Sequence, residues 1–68
     1  MRTTFEVSKS HLSGVAIAFQ KAEGSEMVVS ESENKHYKVD TVFTSENRAL
    51  DFFYQLGTAR VEVIMSKE

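Results

Sequence analysis

The segment between residues 43 and 57, FTSENRALDFFYQLG, contains the signals of one complete amphipathic helix. Thr44 or Ser45 can cap its N-terminus by accepting a hydrogen bond from a free backbone N–H. Gly57 is placed to end the helix in a left-handed conformation, which costs glycine less than other residues. These signals predict a helix over residues 45–56.

The apolar residues of this helix predict where the core lies. Ala49, Phe52, Phe53 and Leu56 fall on one face at helical spacing. The chain contains five Phe and two Tyr, and four of these seven aromatic residues lie in the same short segment. The predicted helix therefore packs its aromatic face against the rest of the fold.

Two other segments, residues 2–8 and 36–43, alternate apolar and polar residues, which is typical of half-buried strands. A further strand is predicted over residues 26–32, centred on the apolar run Met27, Val28 and Val29. In addition, the alternation of Val61 and Val63 predicts a last strand near residues 59–65, with a short helix as the alternative.

Residues 14–21 fit either of two elements. A strand directs Val15, Ile17 and Phe19 into the core, and such residues at period two favour a strand. A helix over about residues 11–22 leaves Ile17 off its apolar face and includes a glycine, which costs about 1 kcal/mol. The strand gives a four-stranded meander, whereas the helix gives the split βαβ order of ferredoxin-like domains.

Composition restricts the class of protein. The 68 residues carry a net charge of −2 and include no Cys and no Pro. We therefore expect a single domain over residues 1–68, without disulfides or thiolate metal sites. No apolar run approaches the roughly 20 residues of a membrane span. The first ten residues lack the apolar segment of a signal peptide, so we expect a cytoplasmic protein.

The sequence contains no recognisable catalytic or metal motif. His11 and His36 lack the spacing of a metal site, and no serine is paired with an oriented base. We therefore expect no enzyme activity, no metal and no cofactor.

One face of the predicted sheet points away from the core. Its outward positions are predicted to be Thr4, Glu6, Ala16, Ala18, Gln20, Val28, Ser30, His36, Lys38 and Asp40. This set contains no aromatic residue on which a base could stack, so we expect no direct nucleic-acid binding. The face is small, polar and weakly charged, which suits either ordinary contact with solvent or docking of another protein.

Several short runs, taken in order and spacing, resemble a known family. They are Ser8-Lys9-Ser10-His11-Leu12, Ile17-Ala18, Gly24-Ser25, Phe43-x-Ser45 and Phe53-Tyr54-x-Leu56. The family is that of the small phage anti-CRISPR proteins that inhibit the type I-F surveillance complex, and the similarity covers about residues 1–57. It implies a four-stranded antiparallel meander, and so places residues 14–21 in a strand.

The resemblance also implies a protein that acts by binding and catalyses no reaction. Family members dock on backbone subunits of the surveillance complex and stop target DNA from pairing with the guide RNA. They use tyrosines of the exposed sheet face, and these positions are Glu6 and Gln20 in this sequence. A nearby acidic position of the family falls near Ser32. The contact residues are therefore not retained.

The resulting expectation for the fold is an α+β domain. Its four-stranded antiparallel meander covers residues 2–8, 14–21, 26–32 and 36–43, backed by a helix at 45–56 and a short C-terminal strand or helix.

For function, we expect a non-catalytic phage-type inhibitor, monomeric and acting in the host cytoplasm. Its partner is expected to be a protein, namely a backbone subunit of a CRISPR surveillance complex, contacted by Glu6, Ala18, Gln20 and Lys38. The alternative is a ferredoxin-like (βαββαβ) regulatory or nucleic-acid-binding domain, which requires a helix at residues 11–22.

Overall fold

The computed structural model describes residues 1–63, with Asn34 described by its backbone alone. They form a small α+β domain in which two helices cover one face of a three-stranded antiparallel sheet. In chain order the elements are β1 (Arg2–Ser8), a 3-10 turn (Lys9–His11), α1 (Leu12–Lys21), β2 (Glu26–Glu31), a second 3-10 turn (Glu33–Lys35), β3 (His36–Val42) and α2 (Glu46–Thr58). The spatial order of the strands is β1-β3-β2.

The predicted four-stranded meander is wrong, because the segment expected as its second strand forms α1. The helix buries Val15, Ala18 and Ala22 and leaves Ile17 55% exposed. A strand would instead have had to bury Ile17 and expose Ala18. Alanine is the best helix former, so the alanines of this segment favour a helix. That helix also covers part of the sheet.

The order β-α-β-β-α gives the first five elements of the split βαβ arrangement. β1 and β2 each run antiparallel to β3, so they are parallel to each other and α1 connects them on one face. The helix required by the alternative interpretation is thus present. Residues 61–63 do not form a strand, and the remainder of the expected last strand lies outside the described residues.

α2 begins where the sequence predicts, because the hydroxyl of Ser45 accepts a hydrogen bond from the backbone N–H of Arg48 at 3.3 Å. Its end differs from the prediction. The helix continues through Gly57, and the left-handed conformation is adopted by Arg60, with φ 57°. The N–H groups of Arg60 and Val61 donate to the carbonyls of Gly57 and Leu56, which is the Schellman arrangement.

α1 ends in the same way. Glu23 adopts the left-handed conformation with φ 54°, and Gly24 donates its N–H to the carbonyl of Phe19 at 3.1 Å. A Cβ atom on Gly24 would overlap the ring of Phe19. Glycine is therefore needed here for close approach to that ring.

The core lies between the sheet and the helices. Phe52 of α2 is its centre, with ring centroids 5.8 Å from Phe5 and 5.2 Å from Phe43. Phe19 of α1 contacts the same cluster. Because these rings converge on one side of the sheet, the other side is left without a covering element among residues 1–63.

Candidate protein-binding face

The uncovered side of the sheet, called the open face below, is built by strand alternation and register. Buried residues such as Phe5, Val7 and Val39 point toward the helices, so their strand neighbours point the opposite way. The open face consists of Arg2, Thr4, Glu6, Ser8, Glu26, Val28, Ser30, His36, Lys38, Asp40 and Val42.

Two rows cross the middle of the open face. Asp40 lies between Thr4 and Val28 in the first row, and the second row runs from Glu6 through Lys38 to Ser30. The hydroxyl of Thr4 donates to a carboxylate oxygen of Asp40 at 2.6 Å. This hydrogen bond holds Asp40 toward β1 and leaves the neighbouring row accessible.

Val28 on β2 and Lys38 on the central strand β3 are both available for contact. Val28 is 54% exposed, and no carboxylate of residues 1–63 lies within ion-pair distance of the ammonium group of Lys38. An exposed apolar side chain beside a free cation suits a protein surface that offers an apolar group and a carboxylate.

The four residues predicted to bind a protein do not lie together. Glu6 and Lys38 are cross-strand partners on the open face, as expected. Ala18 is buried in α1 at 2% exposure, and Gln20 is an exposed residue of the same helix, on the other side of the sheet. The placement of Ala18 and Gln20 on the sheet face is therefore wrong, because it depended on the strand at residues 14–21.

Ser32, Glu6 and His36 form a polar cluster at one end of the open face, but their order does not suit nucleophilic catalysis. The hydroxyl of Ser32 donates to Glu6 Oε1 at 2.8 Å, and His36 Nδ1 lies 4.0 Å from the same oxygen. A catalytic serine needs the base as its direct partner and the carboxylate behind the base. Here the carboxylate lies between the hydroxyl and the imidazole, so it orders the end of the face.

A groove of about 450 Å³ lies beside this cluster, where both 3-10 turns reach the end of the sheet. It is lined by Lys9, Glu31, Ser32, Lys35, His36 and Tyr37. The sequence did not indicate this groove, because Lys9 and Lys35 are far apart in the chain and neither belongs to a motif. Only the antiparallel return of β3 beside β1 brings the two turns together.

The aromatic residues are all elsewhere. Phe5, Phe19, Phe43, Phe52 and Phe53 make ring contacts with one another on the helix-covered side. Tyr37 pairs with Val7 on that side as well, and Tyr54 belongs to α2. The open face thus offers no ring on which a nucleic-acid base could stack.

No group of three or more His, Asp or Glu side chains within residues 1–63 has the geometry to hold a metal ion. Neither of the two helices has the length and apolar character needed to cross a membrane. No protein-family model, curated protein or solved structure matches the chain.

Proposed function

We propose that this chain is a non-catalytic binding domain that docks a protein partner on its open face. The observation that carries the proposal is an exposed apolar residue of β2, Val28, placed diagonally across from Lys38 of the central strand β3. No carboxylate of residues 1–63 forms an ion pair with Lys38, and no described element covers this face. Asp40 and Glu6 already accept hydrogen bonds from Thr4 and Ser32, so these two carboxylates would keep a partner when docking removes water from them, which lowers the desolvation cost.

The partner remains the one that the sequence resemblance implies, a type I-F surveillance complex encountered in the cytoplasm of a host cell. The fold does not add to that part of the proposal, because the meander implied by the resemblance is not formed. The binding surface and the identity of the partner are therefore tested separately.

The test is retention of purified type I-F complexes from several hosts on the immobilised protein. Lys38→Glu is expected to weaken retention at least about tenfold, which corresponds to about 1.4 kcal/mol, because it reverses the charge at the centre of the face. Lys21→Glu is the matched control. It makes the same change at an exposed position of α1, on the opposite side of the sheet, and is expected to leave retention unchanged.

The outcomes separate the two parts of the proposal. If both variants bind as the wild type does, the open face is not the binding surface. If the wild type retains none of the complexes, the surveillance complex is not the partner.

The β-α-β-β-α order favours a second candidate, the ferredoxin-like regulatory domain. This argument is an analogy at the level of fold. The groove that contains Lys9 and Lys35 is the place where such a domain would take an anionic ligand. Titration of the ¹⁵N-labelled protein with a single-stranded oligonucleotide and with inorganic phosphate distinguishes the candidates. Amide shifts confined to the groove support the regulatory domain, and unchanged spectra count against it.

A further inference from the structure

β1 forms one edge of the sheet. Within residues 1–63 it pairs with β3 alone, so the backbone N–H and C=O groups on its outer side have no strand partner. β1 also lacks proline and lysine, two of the residues with which proteins commonly protect an edge strand. Such an edge is a template for the addition of another strand.

An apolar surface of α2 lies next to this edge. Phe53 is 40% exposed, and its ring centroid is 6.1 Å from that of Phe5 in the middle of β1. Leu50 and Tyr54 share this flank at helical spacing and are 59% and 71% exposed. Single exposed apolar residues are normal, but three large ones on one flank of a helix, of which Phe53 packs against β1, indicate an interaction surface. These three residues are called the α2 flank below.

We propose that the occupant of this surface is a second copy of the chain. Two β1 strands would pair antiparallel about a two-fold axis and join the two sheets into one sheet of six strands. The α2 flanks of the two copies would then meet across the same axis and cover the junction on the helix side. This differs from the monomer expected from the sequence.

Charge complementarity favours β1 as the strand that pairs between the two copies, and it favours one register of that pairing. When Thr4 lies opposite Thr4 of the partner subunit, Arg2 lies opposite Glu6 of the partner subunit, and symmetry makes this pair twice. Opposite charges directly across from each other stabilise a strand pair. The other edge strand, β2, carries Glu26 and Glu31 but no cation, so its self-pairing offers no such match.

The dimer does not depend on the proposed protein partner. Joining the sheets edge to edge leaves the open face of each copy uncovered. Self-association is therefore measured on the protein alone, and failure of either proposal leaves the other standing.

Sedimentation equilibrium of the full chain across a wide concentration range is the test, with a monomer–dimer equilibrium as the expected result. Arg2→Glu is expected to weaken the dimer at least about tenfold, because it replaces two opposite-charge pairs with two like-charge pairs. The combined Arg2→Glu and Glu6→Arg variant is expected to restore it, since the pairs are then reversed. Because Glu6 also accepts from Ser32 and lies opposite Lys38 within its own subunit, Glu6→Arg alone is compared by circular dichroism and thermal unfolding. A combined variant that is folded and as stable as Glu6→Arg, yet does not recover the dimer, would overturn the register.

The α2 flank is tested with two variants of the same chemistry. Leu50→Lys is expected to dissociate the dimer, whereas Ile17→Lys, at a position of α1 with 55% exposure against 59% for Leu50, is expected to have no effect. Circular dichroism confirms that each variant is folded. A chain that stays monomeric at every concentration overturns the proposal, as does a dimer that Ile17→Lys disrupts and Leu50→Lys does not.

Discussion

Two glycines of this chain have opposite surroundings. A Cβ atom on Gly57 would have no neighbour within 4 Å, whereas one on Gly24 would overlap the ring of Phe19. That ring is held by Phe43 and Phe52, at centroid distances of 5.6 and 6.2 Å. The ring therefore has little freedom to move aside.

Gly57→Ala is expected to raise the free energy of unfolding by about 0.5–1 kcal/mol, because the helix continues through this position and alanine loses less backbone entropy there. Gly24→Ala is expected to lower it by about 1–3 kcal/mol through overpacking. Urea unfolding of both variants measures the difference. If Gly57→Ala destabilises the protein, α2 ends before residue 57 and the assigned Schellman arrangement is wrong.

The sequence left the residue that caps α2 undecided between Thr44 and Ser45, since both carry a hydroxyl and both precede the apolar face. The backbone decides, because Ser45 has the extended conformation of a cap, with φ −150° and ψ 158°, and accepts from the N–H of Arg48. The choice depends on backbone angles that the side-chain pattern does not specify.

At the level of the element, removal of this cap is expected to destabilise the start of α2. Ser45→Ala should cost about 1 kcal/mol, because the N–H of Arg48 loses its acceptor. Ser45→Asp retains an acceptor and should be close to neutral. Thr44→Ala is the matched control and should change stability little. Thermal unfolding followed by circular dichroism compares the three variants, and an equal loss for Thr44→Ala and Ser45→Ala would contradict the assigned cap.

The two helices differ in how far their sequences predict them. α2 has a cap, an acidic first turn and an apolar face, so local signals alone locate it within two residues at its C-terminus. α1 has no side-chain cap, and the period-two spacing of its apolar residues favoured a strand over a helix. Packing against the sheet favours the helix in this segment. α2 alone does not cover the sheet, and α1 supplies Val15, Ala18 and Ala22 to the rest of the core. This packing is a tertiary contact, so the local sequence pattern of residues 12–21 does not reveal it.

For the whole molecule, the same difference explains which candidate site residues were placed correctly. Glu6 and Lys38 follow from alternation along β1 and β3, which is a local property, and they lie opposite each other on the open face. Ala18 and Gln20 depended on the conformation of α1. The groove between the two 3-10 turns depended on the strand order β1-β3-β2, which no single segment specifies.

The open face and the β1 edge give the molecule two separate surfaces. The open face lies on the side of the sheet away from both helices, and the edge joins β1 to the α2 flank. A partner on the first surface and a second copy on the second would share only the outward side chains of β1, among them Arg2, Thr4 and Glu6. Lys38 is therefore the better residue for testing the open face, and Leu50 the better one for testing the edge.

Both surfaces depend on α1 being a helix on one side of the sheet. Backbone chemical shifts of the ¹³C,¹⁵N-labelled protein across residues 15–19 measure this most directly. The structure predicts Cα shifts displaced downfield and strong sequential amide–amide contacts throughout this segment. Upfield Cα shifts with strong contacts between Hα and the following amide would show a strand there. That result would restore a fourth strand, return Ala18 and Gln20 to the sheet, and contradict the open face as described.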